Sequence, residues 1–185
     1  KQYRDRNPKA TPLFGFGTRA VVHFAVSNRE VWMTTKLAGK DTFFLPFNKG
    51  HNHGAGNPPN PTGHKSAYLW QEVFSRESVA NIIQHFVRLD GSSKMPLAKR
   101  TLFFPRYHQL DVVRRLVAHA SCNGVGQRYL IQHSAGSGKT RSIAWTAHRL
   151  ATLHNDAGQK VFDTVIVVTD RTVLDDQLQE AVRQI

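Results

Sequence analysis

Apolar positions fall in short runs in the first part of the chain and at a helical period later. From residue 20 to 47 the apolar runs are brief and β-branched: 20–26, 31–35 and 42–47, separated by the turn-forming stretches Ser27-Asn28-Arg29-Glu30 and Ala38-Gly39-Lys40-Asp41. Three short strands joined by tight turns predict an antiparallel meander. Ahead of it, residues 1–18 are polar, basic and interrupted by Pro8 and Pro12. Residues 48–65 have no apolar period and are dense in Gly, Asn and Pro, which predicts a loop. A helix is expected to open near Ser66 and run towards Val73. A second carries Val79, Ile82, Ile83, Phe86 and Val87 at three- and four-residue steps.

Composition then turns polar and basic. Residues 91–102 are therefore expected to be a linker between a first domain, 1–90, and a second, 103–185. In the second, a helix follows Arg106-Tyr107-His108-Gln109 with Leu110, Val113, Leu116 and Val117 on one face. Tyr129-Leu130-Ile131 predicts a strand, and a helix with Ile143, Ala147, Leu150 and Ala151 begins after Thr140. Residues 162–169 are too continuously apolar for one face of an open sheet and predict a buried parallel strand. A last helix carries Leu174, Leu178, Ala181 and Val182. This alternation is the α/β signature.

Between the strand at 129–131 and its helix stands Gln132-His133-Ser134-Ala135-Gly136-Ser137-Gly138-Lys139-Thr140. Strand, glycine-rich turn and helix in that order make a phosphate-binding loop. Its N–H groups surround an anion, Lys139 reaches the β- and γ-phosphates, and the Thr140 hydroxyl ligates Mg²⁺. His133 departs from the pattern, which asks for a small residue there. Gln109 has two readings: a carboxamide able to match the N6 and N7 edge of adenine, or an exposed glutamine at a helix start.

Charge adds a partner class. Twenty-five Lys and Arg against 13 Asp and Glu give a net charge of +12, and up to Arg100 the balance is 15 against 6. Such an excess suits a polyanion or a soluble basic surface. Cys122 is the only cysteine, which excludes an intrachain disulfide and a cysteine zinc site and fits a cytoplasmic location. His51, His53 and His64 lie in the 48–65 loop without an acidic or cysteine neighbour there, and read as a solvated loop. The chain begins at Lys1 and ends at Ile185 inside a helical pattern, so it reads as an excised fragment.

Arg106-Tyr107-His108-Gln109, the loop from Gln132 to Thr140, and Val168-Thr169-Asp170-Arg171 with Leu174 and Asp175 resemble the motifs of superfamily 2 helicases. Residues 37–50 and Gly56-Asn57-Pro58-Pro59-Asn60-Pro61 resemble the end of the nuclease domain in the restriction (R) subunit of type I restriction–modification enzymes. That resemblance implies an α/β fold: antiparallel strands and helices from the end of a restriction-nuclease-like domain, then part of a RecA-like parallel-sheet domain. It implies ATP and Mg²⁺ as ligands, held by Gln109, Ser134, Ala135, Gly136, Ser137, Gly138, Lys139 and Thr140. Lys139 is then the catalytic lysine and Thr140 the metal ligand. It implies a duplex-DNA contact at Thr169, Asp170 and Arg171, where Arg171 either adds charge or pairs with Asp170 or Asp175.

The implied partners are double-stranded DNA and the modification and specificity subunits of a type I complex, the last of which selects the DNA sequence. The acidic helicase motif and arginine finger are expected beyond Ile185, and the nuclease carboxylates before Lys1. The alternatives are another superfamily 2 translocase or P-loop NTPase, and a non-catalytic DNA-binding remnant.

Overall fold

The computed structural model describes residues 10–92, 94–169, 178–179 and 181–182. The chain divides into two compact units, residues 1–108 and 109–185. The division falls at His108/Gln109 rather than at the polar stretch before it. Residues 91–100 instead link β4 (Arg88–Asp90) to β5 (Thr101–Phe103), which pair antiparallel as a hairpin.

In the first unit the expected meander is present: β1 (His23–Val26), β2 (Val31–Thr34) and β3 (Leu45–Pro46) form one antiparallel sheet in that order. The third strand is shorter than its apolar run. A 3₁₀ turn over Gly39–Asp41 precedes it, and Pro46 supplies no backbone donor. Val31 and Met33 point inwards and Trp32 outwards, as the two-residue period requires.

Beneath the sheet lies an aromatic cluster. Phe24 meets Phe47, Phe74 and Phe104 edge-on at ring distances of 5.1, 5.4 and 5.9 Å. Tyr68 and Tyr107 meet at 5.3 Å. The helix expected from Ser66 is a π-helical turn, Leu69–Val73, and α1 spans Arg76–His85 with Ser75 capping its N-terminus. Ile82 and Phe86 are buried, whereas Ile83 is 58% exposed. Neighbouring positions are 100° apart on a helix, so both could not centre on one face.

The loop 48–65 is held by amide side chains. Asn57 is 4% exposed. Its Oδ1 accepts from the Lys49 amide (2.8 Å), and its Nδ2 donates to the Arg29 carbonyl (2.9 Å) and to Asn48 Oδ1 (2.8 Å). Asn48 Oδ1 in turn accepts from the Val31 amide at 2.9 Å. These bonds sew the loop to the sheet edge where no ladder continues. The three loop histidines are exposed, and no cluster able to hold a metal occurs among the described residues.

In the second unit α2 (Tyr107–Asn123), whose first two residues belong to the first unit, buries Gln109, Leu110, Val113, Val117 and Ala120. The helix α3 (Lys139–Ala151) buries Ser142, Ala144 and Trp145 rather than the expected face, of which Ile143 is 43% exposed. Leu178 and Ala181 are buried in helical residues, while Leu174 lies outside the described ones.

The expected parallel sheet is not formed among the described residues. Segments 129–131 and 162–169 carry no regular secondary structure and pair with no strand among the described residues, and Leu130 and Val168 are 93% and 87% exposed. Apolar composition suits a strand for burial, but only a hydrogen-bonded neighbour makes it one, and these two segments do not pair with each other. No described helix is long and apolar enough to cross a membrane.

Two expectations follow for the first unit. Asn57→Ala removes the partner of the Lys49 amide and the Arg29 carbonyl and one of two bonds to Asn48 Oδ1, so urea denaturation should show a loss of ~2–3 kcal/mol; a loss under ~0.5 kcal/mol would mean water replaces the side chain. His23 is 7% exposed, its Nε2 has no hydrogen-bond partner, and burial holds its pKa below the usual 6.5. The unfolded chain therefore takes up a proton first as pH falls. Stability is complete above about 6.5, declines below it, and levels off once folded His23 is protonated too. Denaturation midpoints from pH 8 to 5 should show that decline, and His23→Phe should flatten it.

Candidate functional site

The loop from His133 to Gly138 is shaped by two glycines. Gly136 has φ of 70° and Gly138 φ of 81° with ψ of 35°, left-handed values that an L side chain adopts only under strain. The turn at Gly138 delivers the chain directly into α3, so Lys139 is its first residue. The first turn of that helix contains no acidic residue, leaving its positive end unneutralised. Ser134, Ala135 and Gly136 are exposed and Ser137 is buried.

Two side chains fasten the loop from opposite ends. Lys139 folds back so that its Nζ donates to the carbonyls of His133 (3.0 Å) and Ser134 (2.9 Å). Gln109, on α2, donates from Nε2 to the carbonyls of Ser137 (3.3 Å) and Gly138 (3.0 Å). Gln109 is 5% exposed, which rules out an exposed helix-start glutamine. Its amide nitrogen is engaged by two loop carbonyls. Thr140 is half-buried in the first helical turn.

This arrangement fits a nucleoside triphosphate with Mg²⁺. A mobile ammonium, a helix N-terminus and a glycine-shaped backbone converge on one loop, the donor set that an oxyanion requires. Of the expected DNA-contacting residues, Thr169 is half-buried, and Asp170 and Arg171 lie outside the described residues. One residue escaped the sequence reading. Ser142, a helical turn beyond Lys139, is 7% exposed, and its Oγ has no hydrogen-bond partner among the described residues. It lines a cavity of about 430 Å³ together with Lys139, His133 and Thr146 at one end and Ile143, Leu150 and residues 165–168 elsewhere. A serine inside a helical pattern carries no signal of its own; only its three-residue spacing from Lys139 could have drawn notice.

Residues 108–185 match the family model of the SWI2/SNF2 ATPase. No curated protein and no solved structure matches the chain. The matched stretch opens one residue before Gln109 and includes the whole loop segment and α3. The match supports a superfamily 2 helicase-like motor, an ATP-dependent translocase-type ATPase, in this part of the chain.

Proposed function

We propose that this chain is part of the ATP-dependent, DNA-translocating restriction subunit of a type I restriction–modification system, and that residues 109–185 form the ATP-binding part of its first RecA-like domain. The observation that carries the nucleotide reading is the loop itself: two left-handed glycines feed Lys139 into the N-terminus of α3. The restriction assignment rests on residues 37–50 and 56–61, whose likeness to the end of the nuclease domain the helicase motifs alone would not produce.

In this reading the loop amides and the α3 N-terminus receive the phosphates. Lys139 exchanges its bonds to the His133 and Ser134 carbonyls for phosphate oxygens, neutralising charge where it is greatest. Mg²⁺, held by Thr140, supplies electrostatic stabilisation of the phosphoryl oxygens. The resemblance assigns Gln109 to the adenine side, although its amide nitrogen bonds the loop, and Thr169, Asp170 and Arg171 contact the backbone of duplex DNA. The modification and specificity subunits are the protein partners, and the DNA-cleaving activity belongs to the whole subunit. A second reading, a different superfamily 2 DNA translocase, is favoured by the SWI2/SNF2 match itself.

Two measurements test these assignments. Calorimetry should show Mg-ATP binding that Lys139→Ala weakens by about tenfold or more, since a charge-assisted hydrogen bond contributes ~1.5–3 kcal/mol; equal affinities would reject the loop as the phosphate site. Duplex DNA should bind with an affinity that falls as salt rises. Arg171→Ala should lower the slope of log K against log salt by about one, the signature of one lost phosphate contact. An unchanged slope would return Arg171 to a local pair with Asp170 or Asp175.

A further inference from the structure

The resemblance gives Gln109 to the base of the nucleotide, but the hydrogen bonds it makes lie at the phosphate end. We propose that Gln109 is a positioning residue for the phosphates: its carboxamide orients the peptide planes whose N–H groups bind them, independently of any contact with adenine. The proposal rests on the phosphate-loop reading and deepens it.

The argument is one of peptide geometry. Every described peptide bond is trans. In a trans peptide the carbonyl oxygen and the following N–H point to opposite sides of the chain. Holding the Ser137 oxygen on the α2 side therefore turns the Gly138 N–H away from α2. Holding the Gly138 oxygen there does the same for the Lys139 N–H. The two bonds differ in importance. The Gly138 carbonyl also accepts from the amides of Arg141 (3.1 Å) and Ser142 (3.4 Å) in the first turn of α3, so its plane is held twice. The Ser137–Gly138 plane turns about ψ of Ser137 and φ of Gly138, and Gly138, at positive φ and without a Cβ, restrains that rotation little. The amide of Gln109 supplies a restraint there.

The same logic operates at the other end of the loop. The Lys139 ammonium holds the His133 and Ser134 oxygens, which directs the N–H groups of Ser134 and Ala135 to the opposite side. Lys139 can be drawn away by a phosphate, because it is exposed and carries charge. Gln109 is neutral, buried and on the rigid α2, so it stays. An anion site whose donors are fixed before binding loses less freedom on binding. Position 109 thus requires a donor of glutamine's reach, whatever base the nucleotide carries.

The test uses a ligand without a base. Mg-tripolyphosphate is titrated calorimetrically into the 185-residue chain, its Gln109→Met variant and its Lys139→Ala variant. A pure adenine reader predicts unchanged tripolyphosphate affinity in Gln109→Met and a loss confined to ATP against GTP. The positioning role predicts a loss of about tenfold for tripolyphosphate itself, with the unfolding midpoint little changed, as two lost hydrogen bonds to the loop would give. Affinity within twofold of wild type overturns the proposal.

Gln109→Glu supplies a second readout. Its carboxylate repels the two carbonyls at pH 7.5, but the protonated acid is again a donor. Tripolyphosphate affinity of this variant, relative to wild type at each pH, should recover as pH falls to 5.5. A flat ratio overturns the proposal, including where Gln109→Met fails to fold. Wild-type binding that Lys139→Ala leaves untouched would reject the phosphate loop itself, a result distinct from either.

Discussion

Backbone polar groups taken from water need partners, and in this chain loops meet that need with side chains more than with ladders. In the first unit Asn48 and Asn57 hold the Val31 and Lys49 amides and the Arg29 carbonyl, and Ser66 Oγ donates to the Ser27 carbonyl at 2.7 Å. In the second, Lys139 and Gln109 hold four carbonyls of one loop, those of His133, Ser134, Ser137 and Gly138. Removing a hydrophobic contact would cost each unit some burial.

This changes how the positive charge of the first unit is read. Lys49 places its ammonium 2.6 and 2.7 Å from the two carboxylate oxygens of Glu72 and over the rings of Tyr68 and Tyr107. Lys36 donates to the Ala98 carbonyl at 2.6 Å and lies over Phe16. Both cations are engaged in the fold, so the excess of basic residues overstates what is free to meet a polyanion. A DNA contact must be argued from particular residues, and net charge contributes mainly to encounter.

At the phosphate loop, recognition and architecture use the same atoms. The glycines that let the amides face an anion also free the peptide planes to turn away, and a fixed donor on α2 removes that freedom. A buried hydroxyl, Ser142, stands along the same helix face as Lys139, so the polar character of the site extends one turn into α3. Besides these two, His133 and Thr146 line the cavity, and its other lining side chains are apolar. The site is therefore a charged mouth on a hydrophobic wall, where electrostatic interactions with a bound anion are less screened than in open solvent.

Local chemistry was legible in the sequence wherever a residue's role depends on its neighbours along the chain. The meander at 20–47 follows from short apolar runs between turn residues, α2 from its apolar spacing, and the loop at 133–140 from glycines between an apolar run and a helix. What needed tertiary structure was every choice among equivalent faces and partners. The apolar face expected for α3 was displaced because several stripes on that helix are apolar enough to bury, and contacts select one. Residues 129–131 and 162–169 have strand composition, but pairing is a property of a neighbour and neither is the other's. Gln109 was identified from its place in a motif, whereas its bonds to Ser137 and Gly138 join positions 28 and 29 residues apart, a closure that no local pattern encodes.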